Sequence, residues 1–199
     1  MARQRRIRAS DDTDAWIGYT DLLANSLLIL LLTTAITSLA RGINQTPPLL
    51  PLTEAESFRF ETGSYVLSKE FKQALLRRLP EIQKTIKDHR INTVEIVGHT
   101  DGQPSPGRSN LDMRLPLAGK AHELNGFDAG SNIDLGMLRA IAVANYLRAN
   151  LDPRDRSLII RPYSAGSLID TSGNFAPADS DSQAERRRIE VRFTRRKEY

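Results

Sequence analysis

Val94-Glu95-Ile96-Val97-Gly98-His99-Thr100-Asp101 is the stretch from which the architecture can be worked out. Val94 and Ile96 point to one side and Glu95 and Val97 to the other, the two-residue period of a strand. Thr93 to His99 is therefore read as a strand. His99 belongs to the turn that ends it, and is not read as a ligand. Asp101 follows at once, a carboxylate at the point where a strand gives way to a loop.

Downstream, Gly102 to Ser131 is rich in turn formers, among them Pro104, Pro106, Gly107, Pro116, Gly119, Gly126 and Gly130. A loop of that length is usually functional or disordered. Asp134 to Leu151 then reads as a helix, with Leu135, Leu138, Ala142, Tyr146 and Leu147 near one face. Leu158-Ile159-Ile160 is a buried strand, followed by a Gly/Ser/Pro-rich loop to Asp181. Ile189, Val191 and Phe193 alternate with Glu190 and Arg192, which predicts a last strand with one wet face. Upstream, Ser68 is an N-cap candidate for a helix running through Phe71, Leu75, Leu79, Ile82 and Ile86. Pro80 is expected to kink or split it. Phe58 to Phe60 alternates and suggests a short strand. The order strand, helix, strand, long loop, helix, strand, loop, strand predicts an α+β fold, helices packed on one sheet.

The N-terminal region is different in kind. Leu22 to Ala40 is an apolar run of 19 residues with no charged side chain, about 28 Å as a helix, close to one bilayer core. Trp16 and Tyr19 suit the membrane–water interface. A cleaved signal peptide has a shorter apolar region, about 7–15 residues, and a small-x-small exit. The exit here, Ser38-Leu39-Ala40-Arg41, matches poorly. The run is read as a retained anchor. Arg3, Arg5, Arg6 and Arg8 precede it, which places the N-terminus in the cytoplasm and everything after Arg41 outside the inner membrane. Gly42 to Glu56 holds Pro47, Pro48 and Pro51, an extended linker reaching at most about 45 Å. The expected division is thus a basic segment 1–15, a transmembrane helix 16–40, a linker 41–56 and a domain 57–199 with an insertion at 102–131.

Asp21 opens the apolar run. A carboxylate at the edge of hydrocarbon needs a partner, water or a proton, and such a group marks a functional site by default. Asn25 lies four residues on, hence on the same helical face, and Thr33 and Thr37 repeat that spacing. Polar residues so spaced let a membrane helix pack on others. The alternative is an ordinary anchor in which Asp21 sits at the interface.

The net charge is +4 and there is no cysteine, which excludes disulfides and thiolate metal sites. The basic excess lies in the N-terminal arginines and in Arg186, Arg187, Arg188, Arg192, Arg195, Arg196 and Lys197. The last cluster falls partly on a strand and outside the cytoplasm, so nucleic acid is not expected as a partner. His89 and His122 are isolated. No metal, cofactor, phosphate-loop or serine-hydrolase signature occurs, and no enzymatic activity is expected.

Two resemblances follow from these residues. Trp16-Ile17-Gly18-Tyr19-Thr20-Asp21-Leu22-Leu23, with the apolar run after it, resembles the start of the flagellar stator B subunit (MotB-type) and equally the ZorB subunit of Zorya anti-phage systems. That resemblance implies that Asp21 is the ion-binding carboxylate of a proton-driven or sodium-driven motor. It further implies two copies of the chain inside five separately encoded A subunits. Val94 to Asp101, then Asn132 to Ala140, then Arg187-Arg188-Ile189-Glu190-Val191 resemble an OmpA-like peptidoglycan-binding domain over roughly residues 58 to 194. By that resemblance Asp101, Asn132 and Arg139 hold the diaminopimelate of the cell-wall peptide, and Arg187 stands for a second pocket arginine. The chemistry agrees, since an amino-acid end needs a carboxylate for its ammonium and a guanidinium for its carboxylate. This chain departs from the pattern in the 30 residues between Asp101 and Asn132, where the family has a few. Gly136 and Arg186 also replace the usual Ser and Asn. The rival expectation is a membrane-anchored peptidoglycan tether without ion transport.

Overall fold

The computed structural model describes residues 2–43, 49–53, 57–105, 107–118, 124–152 and 158–196, with side chains from residue 16 to residue 40 in the first of these segments. The chain divides into two compact units, residues 1–46 and 47–199. In the first, helix α1 runs from Ala2 to Ile43. Its stretch Trp16–Ala40 is long and apolar enough to cross a membrane, and its side chains are exposed along the whole length.

The second unit is an α+β fold. Strands β1 (Leu50–Thr53), β2 (Thr93–His99), β3 (Ile159–Gly166) and β4 (Arg188–Thr194) form a sheet of order β1-β4-β2-β3 among the described residues. β2 and β3 are parallel, joined by a crossover that contains helix α4 (Asn132–Asn150), while β4 is antiparallel to both β2 and β1. Helix α2 (Lys69–Asp88) shares its core with α4 on the same sheet. Leu52, Val94, Ile96, Ile189 and Val191 of the sheet are buried against Phe71, Leu75 and Ile82 of α2 and Val143 and Leu147 of α4.

Local chemistry accounts for the helices. Ser68 accepts a hydrogen bond from the Phe71 N–H at 3.1 Å, Glu70 stands in the first turn of α2 and Lys87 in the last, each favourable to the helix dipole. Pro80 does not split α2. It lies on the exposed face, where water can solvate the Leu76 carbonyl that it leaves without an N–H partner. Ser131 caps α4 in the same way, accepting from Asp134 N at 3.2 Å.

Further expectations are corrected. Phe58 to Phe60 forms no strand. Both rings instead pack on Phe71, with centroids 5.2 and 4.8 Å away. The edge strand lies in the stretch read as linker, at Leu50–Thr53, pairing Leu50 with Val191 and Leu52 with Ile189. Pro51 is compatible with it because an edge strand need not donate from every residue. The same reason lets β3 run on through Pro162 to Gly166, well past Ile160, and of the three residues read as a buried strand only Ile160 is buried, Ile159 being exposed. Lastly, Glu190 on β4 is 7% exposed and not on a wet face.

The insertion is not a bare loop. It contains helix α3 (Leu111–Ala118) and adds a second core, in which Leu111, Leu124 and Phe127 pack with Leu138 and Ile141 of α4. Tyr65 closes this core by donating to the carbonyls of Leu124 at 2.8 Å and Phe127 at 2.9 Å. Burial raises the Tyr65 hydroxyl pKa, partly offset by the bond to Phe127.

Candidate ligand-binding site

The end of β2 and the start of α4 meet at a glycine pair. A Cβ on Gly98 would overlap the Gly136 carbonyl oxygen, and one on Gly136 would lie 2.9 Å from the Gly98 oxygen. This contact gives Gly136 a physical reason. It lets α4 sit directly on β2, so that Asn132 and Arg139 of the helix stand beside Thr100 and Asp101, which follow the strand.

These residues line a pocket of about 240 Å³ together with Arg187, which comes in from the residue before β4. The four positions singled out in the sequence, Asp101, Asn132, Arg139 and Arg187, are thus brought to one cavity from three separate places in the chain. Asp101 is 5% exposed and pairs with Arg187, Nη1 to Oδ2 at 2.5 Å. The same oxygen accepts from Gln183 N at 3.4 Å, and Arg187 also donates to the Ser182 hydroxyl at 2.9 Å. Arg139 is 2% exposed. Its Nε donates to the Ser64 carbonyl at 2.9 Å and its Nη2 to that of Glu61 at 3.4 Å, and the guanidinium stands 4.7 Å over the Phe60 ring. Asn132 donates to the Gln103 carbonyl at 2.8 Å. Two cations and one carboxylate give the described lining a net charge of +1, in a setting where burial strengthens each contact. A lining of that charge is complementary to a group carrying a carboxylate. At about 240 Å³ the pocket is below the ~300–1,000 Å³ of sites for drug-sized ligands.

The sequence did not single out Thr100, Gln103 or Ser105, which also line this pocket. Thr100 stood in the quoted motif and could have been found there. The other two lie in the insertion, whose length raised the expectation that it could cover the pocket, bind something else or reshape the site, without naming the residues that would do so. Arg186 is buried and structural: it donates to Asp179 at 2.9 Å and to the Ser167 carbonyl at 2.6 Å, tying together the loop between β3 and β4. His99 is buried at the end of β2, with Nε2 3.2 Å from Glu190 Oε1 but not aligned as a hydrogen bond. No metal-binding cluster occurs among the described residues.

On α1, Asn25 Nδ2 lies 3.5 Å from Asp21 Oδ1. The hydroxyls of Ser26, Thr33, Thr34 and Thr37 donate to backbone carbonyls of their own helix. Asp21 and Asn25 therefore differ from their neighbours, whose hydrogen bonds turn inward to the helix.

The sequence profile of the OmpA family matches residues 59–188. Similar solved structures include the periplasmic domain of Helicobacter pylori MotB, 20% identical over 73% of this chain and 81% of that one, TM-score 0.47. A MotB-like protein from Desulfovibrio vulgaris is 20% identical over 74% and 75%, TM-score 0.45. The peptidoglycan-associated lipoprotein from Burkholderia pseudomallei is 19% identical over 72% and 89%, TM-score 0.39. No curated protein matches the chain.

Proposed function

Since this chain belongs to the OmpA family, we propose that its second unit binds peptidoglycan and that the whole chain is the B-type subunit of an ion-driven membrane motor. The observation that carries the reading is the convergence of Asp101, Asn132, Arg139 and Arg187 on one pocket. A diaminopimelate end group presents an ammonium and a carboxylate, and this lining presents the complementary charges. In the same reading α1 is a single inner-membrane span with its N-terminus in the cytoplasm and the OmpA-family domain in the periplasm. Asp21 takes up and releases a proton, or coordinates sodium. Each event biases the contact of α1 with the surrounding A-type subunits, five of them around two copies of this chain. Peptidoglycan holds the B subunit still while the ring moves. Flagellar stators of MotB type and anti-phage assemblies of ZorB type share this layout.

The test uses the full chain with its A-type subunits in membranes. Asp21→Asn removes the titratable proton at nearly constant size, and is expected to abolish ion flux while leaving assembly and retention on purified sacculi intact. Asp101→Ala is expected to weaken that retention roughly 30-fold or more, as loss of one partner in a buried charged contact does. Unchanged flux in Asp21→Asn leaves a peptidoglycan tether without transport. Unchanged retention in a folded Asp101→Ala protein removes the pocket from the account.

A further inference from the structure

Residues 102–131 depart furthest from the family pattern, and the structure places their first residues in the pocket. Gln103, Pro104 and Ser105 line it on one arm of the insertion and Ala129 on the other. The two arms are locked together. A Cβ on Gly107 would meet the Ala129 oxygen at 2.7 Å, and one on Gly130 the Ser109 nitrogen at 2.6 Å. Asn110 donates to the Gly126 carbonyl and to Asp128, each at 2.9 Å, and accepts from Asp128 N at 2.9 Å. Beyond this neck, Leu111, Leu124 and Phe127 are seated on α4. Asn132 holds the Gln103 carbonyl from the other side. The neck is therefore fixed to the same helix that carries Asn132 and Arg139, so the pocket is preformed on this side.

A second observation points to a ligand. Thr100 lines the pocket, is 1% exposed, and its Oγ1 has no hydrogen-bond partner among the described residues. Buried hydroxyls are normally satisfied. Gln103 and Ser105 are half-buried beside it and, like it, neutral. Neutral donors and acceptors next to a charged constellation suit a peptide amide adjoining a charged end group, which needs hydrogen bonds but no counter-charge.

We propose that Gln103 and Ser105 are specificity-determining residues that read the peptide link next to the charged end group, so that the pocket prefers a stem peptide to the isolated diamino acid. This rests on the peptidoglycan reading above. Competition against sacculus binding by the full-length protein tests it, with meso-diaminopimelate and a diaminopimelate-containing tripeptide as the two probes. The wild-type protein is expected to prefer the tripeptide. Gln103→Ala combined with Ser105→Ala is expected to reduce that preference about tenfold, as the loss of two neutral hydrogen bonds would. Binding of meso-diaminopimelate alone is expected to fall by a much smaller factor than binding of the tripeptide. An unaltered preference in the double variant overturns the inference while the pocket stands. An equal fall for both probes, with a lowered melting temperature, overturns it too, since the residues would then only support the fold. If neither probe competes with the wild-type protein while Asp101→Ala still abolishes sacculus retention, the wall does not read this ligand. If the wild-type protein ignores sacculi altogether, the peptidoglycan reading falls and takes the inference with it.

Discussion

Glu190 sits among three basic side chains. Arg188 donates to its Oε1 at 3.0 and 2.8 Å, Arg192 to its Oε2 at 3.1 and 2.6 Å, and His99 Nε2 lies 3.2 Å from Oε1. Burial by itself would raise the carboxyl pKa; the contacts from His99, Arg192 and Arg188 outweigh it and hold the group well below the usual carboxylate range. A folded-state pKa below the unfolded value of about 4.3 stabilises the fold at every pH above that value. The contribution is lost as pH falls further, through the lowered pKa. Glu190→Gln is expected to cost about 3 kcal/mol at pH 7, as removing one partner of a buried pair does. Its stability should also fall less steeply than the wild type's between pH 5 and pH 2. Urea unfolding across that range reads both effects, and a variant that keeps the wild-type slope would acquit this carboxylate. At the same scale, Asp101 and Arg139 were legible because a short motif names them. Glu190 was not. Strand alternation assigns it to solvent, and only the loop that brings the Asp170 carbonyl onto Arg188 at 2.8 Å shows how that face is closed.

Among the elements, α4 has the most to answer for, because it carries Asn132 and Arg139 and also supports the insertion. Its seat on β2 depends on the contact between Gly98 and Gly136. Both partners there are backbone, so a Cβ cannot be accommodated by turning a side chain aside. Gly98→Ala is expected to push the helix off the strand, at about 1–3 kcal/mol of stability or more, and to weaken sacculus retention alongside. Thermal unfolding and retention measured together check this. An unchanged melting temperature would mean that the two backbones do not meet as described. Helices α2 and α4 could be read from their period and their serine caps. The strand β1 could not, because three prolines between Arg41 and Glu56 argue for a linker, and the partner that overrides them, β4, is more than a hundred residues away. Helix α3 was hidden by its shortness and by Pro116.

For the molecule as a whole, fold class followed from the order of elements, whereas the strand order β1-β4-β2-β3 depends on pairings between distant segments. The membrane reading came from one apolar run, and the side chains of α1 from Trp16 to Ala40 are exposed. If two copies of this chain stand side by side, short connections keep their domains at high effective concentration, on the order of millimolar. Leu27→Cys and, separately, Met113→Cys on the exposed face of α3 are therefore expected to crosslink between copies of the full chain in membranes. The chain has no cysteine of its own to confuse the result. Abundant crosslinks at Leu27 with none at Met113 would mean that the insertion does not meet its counterpart. The edge strand adds a mechanical consequence. Tension arriving from the N-terminal side enters the domain at Leu50, through four residue pairs with β4. If those give way, the next hold among the described residues is Phe58 and Phe60 against Phe71. None of the pocket residues lies on β1, so the strand would act as a fuse, yielding under load while the pocket stays assembled.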